Sequence, residues 1–346
     1  MIGFLNMTAL VPTIGHQYLV SFAASFMQLK KGTLYVVISG RSFEPIAASD
    51  RRNSFIRQFK AYDNVIITSV DDDAAPQQDD GTQEFWDYWV KIATDATGGE
   101  PVDYLFASET YGQPYADQLG AQFIPCDIKR ETFDVRGTDV RSNLIENFDH
   151  IMPEFRQHIA RRITVFGSDS TGKTTMTLKL KQAFEPYSTS LVEWARPYLE
   201  TVGTEVTIGR MLNIIAGQFA MQQASSATKL SPLVFQDTDM LTTIGYHRIY
   251  GMDIPDELIE GFKRTKADLY LVMNSGIPFE KDPLRYGNGA RESTDQFWID
   301  LLEEFDCEYK CVTEVVQHEQ IAQAVDHVTK FVKRAHAPIE QFDRNA

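Results

Sequence analysis

Basic residues are in short supply: 33 Lys and Arg face 48 Asp and Glu, for a formal net charge of -15. Such a balance leaves no broad basic face, so neither nucleic acid nor an anionic membrane surface is an expected partner, and any anionic ligand must be held by a few local donors. Cysteine is scarcer still, with only Cys126, Cys307 and Cys311. The last two lie four apart beside a stretch that reads as a strand, Glu308 to Val312, a spacing that suits neither a zinc site nor a disulfide framework, so reduced structural thiols are expected. No run of about 18 apolar residues occurs, and the start Met1-Ile2-Gly3-Phe4-Leu5 has no basic n-region; a soluble cytoplasmic protein is the expectation. What the chain does have is 346 residues, 43% hydrophobic and 12% aromatic, enough for two packed cores of ordinary domain size.

In the first 140 residues, apolar runs at Leu34 to Ser39, Val65 to Thr68, Tyr104 to Ala107 and Gln122 to Cys126 alternate with helical patterns, which predicts a parallel sheet covered by helices. The acidic segment Asp71 to Thr82 reads as a solvated, mobile surface loop. From Ser142 to Arg162 the residues Leu144, Ile145, Phe148, Ile151, Phe155 and Ile159 recur at helical intervals around Pro153, predicting one interrupted or two short connecting helices. A second α/β pattern follows, with strands expected at Ile163 to Phe166, Leu191-Val192, Leu233 to Phe235, Leu269 to Met273 and Tyr309 to Val312. The domains are therefore drawn at 1–142 and 162–335, with a helical linker at 143–161 and a frayed tail at 336–346.

The clearest chemical signal is Gly167-Ser-Asp-Ser170-Thr171-Gly172-Lys173-Thr174, set between a β-branched strand and a helical run. Glycines let backbone N–H groups turn inward around phosphates, Lys173 reaches the β and γ phosphates of ATP, and Thr174 offers a hydroxyl to Mg2+. Ser170, Thr171 and Thr175 complete the expected ATP contacts. Pro232-Leu-Val-Phe-Gln-Asp237-Thr-Asp239 delivers two carboxylates to the carboxyl edge of the sheet, one to organise magnesium and one to face the acceptor, with Asp237 taken for the metal. Glu193-Trp-Ala-Arg196 follows another strand and suits capture of a sugar hydroxyl and a phosphate; Glu193 and Asp239 are the two candidates for the base. Arg285 and Arg291, in a Pro- and Gly-rich span, fit either a closing lid over ATP or an ordinary solvated connection.

Near the first strand end, Thr13-Ile14-Gly15-His16 opens a helix and is equally a phosphate site or a helix cap with a surface histidine. A second element, Arg136-Gly137-Thr138-Asp139-Val140-Arg141, places Thr138 to cap another helix and Arg141 to point at the same phosphates. Arg41, Ser108, Glu109 and Tyr111 fall just after two candidate strands, at the edge where such sheets bind ligands. Trp86 and Trp89 either stack on a planar base or, as their helical spacing more often implies, join the core.

Taken together, these motifs resemble the bifunctional nicotinamide mononucleotide (NMN) adenylyltransferase and ribosylnicotinamide kinase proteins of bacteria and their phages, the NadR type. The likeness runs over nearly all of the chain: Thr13-Ile-Gly15-His16 fills the place of that family's (H/T)xGH motif, Arg136 to Arg141 its later SGTxIR-like motif, and Gly167 to Thr174 its kinase loop. Ser108-Glu109 with Tyr111-Gly112, Asp127 with Arg130, Glu193 to Arg196, Asp237-Thr-Asp239 and Asp282-Pro-Leu-Arg285 are similar to further landmarks. The resemblance implies an α/β protein with a Rossmann-like nucleotidyltransferase domain before a P-loop NTPase-type kinase. It implies ATP with Mg2+, nicotinamide riboside, NMN and NAD as ligands, and leaves room for a homo-oligomer. The first strand begins within about ten residues of Met1, so the helix-turn-helix repressor domain of many enterobacterial members, and DNA binding, are not expected. Two other readings share the coarse architecture: a coenzyme A synthase, and a nucleotide sensor with a decayed transferase site.

Overall fold

The structure, a computed structural model, describes residues 1–76, 81–203, 205, 207–228, 230–279 and 293–342. It divides into two compact units, Met1–His158 together with the chain from His336 onward, and Ile159–Ala335.

In the first unit the elements run β1 (Ile2–Met7), α1 (Ile14–Leu29), β2 (Thr33–Gly40), α2 (Ala48–Gln58), β3 (Val65–Asp71), α3 (Gln83–Ala96), β4 (Tyr104–Ala107), α4 (Gly112–Leu119), β5 (Gln122–Pro125) and the short α5 (Gly137–Ser142). All five strands are parallel, in the order β3-β2-β1-β4-β5. The chain therefore starts in the middle of the sheet, winds outward through β2 and β3, and returns to the other side of β1 for β4. That reversal opens a crevice at the carboxyl ends of β1 and β4, where doubly wound sheets bind ligands.

The second unit runs β6 (Arg161–Phe166), α6 (Lys173–Ala183), β7 (Ser188–Leu191), α7 (Ala195–Val202), α8 (Ile208–Thr228), β8 (Leu233–Asp237), α9 (Met240–Ile249), α10 (Asp256–Thr265), β9 (Leu269–Met273), α11 (Asp295–Glu304), β10 (Tyr309–Val312) and α12 (Gln317–Glu340). Its strands are again all parallel, ordered β10-β9-β6-β8-β7. Every residue of β8 and β9 is buried, as expected for central strands covered on both faces.

Three expectations are corrected. The 143–161 segment forms two short helices, one of the two expected alternatives, but both are 3-10 turns, Phe148–His150 and Pro153–His158, and the segment is no separate linker, since it counts with the first unit up to His158. Pro153 lacks an amide to continue an α-helix, and the side chains of Leu144, Phe148, Ile151 and Phe155 are buried one by one in irregular backbone. The tail is not frayed from residue 336: α12 continues through Glu340, His336 and Ile339 are buried, and Glu340 accepts the Leu144 amide at 3.1 Å. The acidic loop is pinned at its start, where Asp73 accepts from both the amide and the hydroxyl of Ser42 at 2.7 Å and Arg41 donates to the Ala75 carbonyl at 2.8 Å. Residues 77–80 of that loop lie outside the described residues.

Candidate active sites

In the second unit the turn after β6 is shaped by backbone sterics. Gly167 adopts φ 123°, where an added Cβ would stand 3.2 Å from the Met273 carbonyl oxygen, and Gly172 adopts φ 79° as it enters α6. Lys173 Nζ folds back on the loop, donating to the carbonyls of Gly167 (2.9 Å) and Ser168 (2.7 Å). The Thr174 hydroxyl donates to Asp237 Oδ2 at 2.6 Å, joining the loop to the end of β8. Burial raises the Asp237 pKa above its ordinary value, opposed by that hydrogen bond and by the charges of Lys173 and Arg196.

Gly172, Lys173, Thr174 and Asp237 line a cavity of about 670 Å³, which also takes in Glu193 and Arg196 at the start of α7. Burial, and then the negative charge of Asp237, push the Glu193 pKa up, against the pull of Lys173 and Arg196. A half-buried carboxylate with a raised pKa, in one cavity with a phosphate loop, has the character of a proton acceptor. Thr174 and Asp237 offer two hard oxygen ligands side by side, which suits Mg2+ because that ion takes few protein carboxylates and fills its shell with phosphate oxygens and water. Among the described residues no group of three or more His, Cys, Asp or Glu could hold a metal ion. The cavity also contains residues that the motifs do not reveal: Asp169 within the loop, Tyr246 on α9 and Tyr250 just after it, and Val315, Gln320 and Ile321 around the start of α12.

Asp239 is a correction. It is 1% exposed and is not among the residues lining the cavity. Its Oδ1 caps α9 by accepting from the amides of Leu241 (3.0 Å) and Thr242 (3.3 Å), and its Oδ2 accepts from the Tyr270 hydroxyl at 2.6 Å. Burial raises its pKa to about 6, opposed by those donors. The residue is a structural cap, so Asp239→Ala should cost the second unit about 1–3 kcal/mol of stability. Phosphoryl transfer per folded molecule should stay within about threefold of wild type, and Asp239→Asn, which keeps the cap acceptor, should recover most of the lost stability. Thermal unfolding with parallel turnover measurements checks this; loss of turnover in a stably folded Asn variant would return Asp239 to the site. Arg285 and Arg291, with the expected lid, lie outside the described residues.

In the first unit, Thr13 caps α1 in a reciprocal box with His16. The Thr13 amide donates to His16 Nδ1 at 3.0 Å, and Thr13 Oγ1 lies 2.8 Å from the same nitrogen. A backbone N–H can only donate, so Nδ1 is the acceptor and the proton of the neutral ring sits on Nε2. Burial first, and then the positive charges of Arg130 and Arg141, lower the His16 pKa to about 4, so the ring is neutral near pH 7. The two motifs meet here: a Cβ on Gly137 would stand 3.8 Å from His16 Cε1. They frame a pocket of about 130 Å³ lined by Thr13, Gly15, His16, Ser108, Glu109, Asp127, Arg130 and Gly137, among others. Ordinary small-molecule clefts are about 300–1,000 Å³, so this pocket has room for only part of a ligand of nucleotide size.

Asp127 and Arg130 both adopt positive φ (50° and 56°) and organise the loop after β5. Asp127 accepts the amides of Thr132 and Phe133, while Arg130 donates to Glu109 (2.8 Å) and to the Val135 carbonyl (3.1 Å). Six expected residues, Trp86, Trp89, Arg41, Tyr111, Thr138 and Arg141, do not line this pocket. Trp86 is 9% exposed and packs on Tyr115 and Phe85 in the core, with Trp89 packed against the same cluster, because their shared helix face is the apolar one. Arg41 is bonded to the Ala75 carbonyl, and Tyr111 is exposed at the start of α4. Thr138 does not cap α5; the cap position is Arg136, without a side-chain bond, because the helix begins at Gly137.

A family model described as an AAA domain matches residues 162–319. The Trifunctional NAD biosynthesis/regulator protein NadR of Escherichia coli (strain K12) is 25% identical over 295 residues, 82% of this chain and 70% of that protein. Its counterpart in Salmonella typhimurium (strain LT2) is 24% identical over 306 residues, 85% of this chain and 72% of that protein. Among solved structures, a NadR protein in complex with NAD and AMP-PNP superposes with a TM-score of 0.66 at 22% identity, covering 96% of both chains, and a NadR protein in complex with NR gives 0.62 at 21%.

Proposed function

We propose that this chain, a homologue of the NadR proteins, carries out two consecutive steps of NAD salvage. The second unit phosphorylates nicotinamide riboside with ATP, and the first joins the resulting mononucleotide to the AMP moiety of a second ATP. The observation that carries the kinase reading is the single cavity in which the phosphate loop, Glu193 and Arg196 converge. Lys173, now bonded to loop carbonyls, exchanges them for β- and γ-phosphate oxygens. Glu193 accepts the proton of the sugar hydroxyl as its oxygen bonds to the γ-phosphorus and ADP leaves. Thr174 and Asp237 would hold magnesium, which when bound neutralises phosphate charge.

In the first unit the phosphate of the mononucleotide attacks the α-phosphorus of ATP, the bond to the β-phosphate oxygen breaks, and pyrophosphate departs. That phosphate is already a nucleophile, so the protein supplies placement and charge rather than a base. His16 Nε2–H donates to the α-phosphate, with Arg141 and Arg130 adding positive charge, and Ser108 and Glu109 border the mononucleotide.

Riboside phosphorylation should lose rate as pH falls through the raised pKa of Glu193, since a protonated carboxyl cannot take the proton. The acid limb of the kcat profile should lie above that of a free glutamate and vanish in Glu193→Gln, leaving a low, pH-flat rate; a limb unchanged in that variant assigns the base elsewhere. The reading as a whole is tested by supplying ATP with nicotinamide riboside, nicotinamide mononucleotide or phosphopantetheine in parallel. Turnover of the first two supports it, and turnover of phosphopantetheine alone replaces it with a coenzyme A synthase.

A further inference from the structure

The third residue of the phosphate loop, Asp169, is a carboxylate in a segment whose other work is to gather donors. Beside a triphosphate an anionic side chain is repulsive. Its orientation resolves the conflict. Tyr246 of α9 donates its hydroxyl to Asp169 Oδ1 at 2.6 Å. Tyr246 is itself fixed, edge-on to Trp298 (centroids 5.6 Å apart, 69° between planes) and stacked on Tyr250 (5.9 Å, 20°). The Trp298 indole N–H in turn donates to Ser168 Oγ at 3.1 Å, so two consecutive loop residues are tied to helices α9 and α11. Asp169 thus shares a cavity wall with Tyr246 and Tyr250, close enough to Glu193 for its charge to bear on that carboxylate.

Four carboxylates line this cavity among the described residues. Asp237 is bonded to Thr174, Glu193 faces the reacting hydroxyl in the kinase reading, and Glu205 is exposed. Asp169, on the wall it shares with Tyr246 and Tyr250, is the carboxylate that the kinase reading sets toward the rest of the acceptor sugar. A carboxylate accepts up to about four hydrogen bonds, and Tyr246 supplies one of them. The vicinal hydroxyls of a ribose are donors of matching chemistry.

We propose that Asp169 is the residue that reads the acceptor sugar, accepting a hydrogen bond from a ring hydroxyl that is not phosphorylated and so selecting ribosides over deoxyribosides. The proposal rests on the kinase reading, which puts the sugar in this cavity. Discrimination on one charge-assisted hydrogen bond is worth about tenfold to a hundredfold.

The test measures kcat and KM of wild type, Asp169→Asn and Asp169→Ala on nicotinamide riboside, cytidine and adenosine, each with its 2'- and 3'-deoxy analogue, with ATP as donor. Asp169→Asn keeps the shape and an acceptor for Tyr246, so it guards against a folding defect. Wild type should prefer the riboside by about tenfold or more in kcat/KM over at least one deoxy analogue. In both variants that preference should collapse toward unity through KM for the sugar, with KM for ATP within about threefold of wild type. A riboside-to-deoxyriboside ratio unchanged by Asp169→Asn overturns the proposal while leaving the kinase reading intact, as does a rise in KM for ATP matching that for the sugar. Turnover of cytidine or adenosine but not nicotinamide riboside removes the substrate assignment alone, since the sugar ratio is still measured. No turnover of any riboside removes both.

Discussion

Lys173→Ala should lower riboside phosphorylation by about a thousandfold or more while the formation of NAD from supplied mononucleotide stays near wild type. The lysine sits at the first position of α6 with its ammonium within 3 Å of two loop carbonyls, so removing it takes away a point charge at the place where a γ-phosphate would lie and leaves the Gly167 and Gly172 turns intact. The expected loss is mostly in kcat, because negative charge spreads over the transferred phosphoryl group in the transition state. Release of ADP from riboside and of pyrophosphate from mononucleotide, measured on the same preparation, separates the two activities. Equal loss of both in a folded protein would mean that one site serves both reactions.

His16→Ala should reduce adenylyl transfer by about a hundredfold to a thousandfold, the scale of losing one transition-state donor, with little change in KM for mononucleotide. The ring is held by Thr13 through Nδ1, which leaves Nε2–H as the donating end, and the charge it meets grows as the bond to pyrophosphate breaks. The depressed pKa of about 4 adds a second expectation. The neutral donor is the working form, so above about pH 5 the kcat/KM profile should carry no limb from His16. The same shift bears on stability. The unfolded chain binds a proton at the ordinary histidine value of 6.5 that the folded chain refuses, so the contribution of His16 is fully present above that pH and is lost as pH falls toward about 4. A His16→Ala variant that releases pyrophosphate at the wild-type rate would reduce Thr13-Ile-Gly-His16 to a helix cap.

Much of this was legible in the sequence because the signals were local. The phosphate loop needs glycines at fixed offsets between a strand and a helix, and Gly167, Gly172, Lys173 and Thr174 occupy those places with the φ values such a turn demands. Strands buried on both faces, such as Leu269–Met273, read as unbroken apolar runs. The edge strand Ser188–Leu191 does not, because its residues are mostly polar, and the apolar pair Leu191-Val192 runs past its end to an exposed residue. The place of Asp239 is hidden in the sequence for a different reason. A carboxylate after a strand is equally a ligand or a cap, and only the positions of Leu241, Thr242 and Tyr270 decide between them. Asp169 carries no local signal, because the loop motif leaves its position unconstrained and Tyr246, its hydrogen-bond donor, lies 77 residues away. Contacts of that separation leave no trace in local periodicity.

The claim that two sites on two separate sheets act in series is tested most directly by mixing. Lys173→Ala alone, given ATP and nicotinamide riboside, should make no NAD. His16→Ala alone should accumulate nicotinamide mononucleotide and stop there. An equimolar mixture of the two should restore NAD synthesis from riboside, because each variant supplies the step that the other lacks and the mononucleotide can pass between molecules through solution. A mixture that stays as inactive as Lys173→Ala alone, while His16→Ala makes no mononucleotide, would contradict the account.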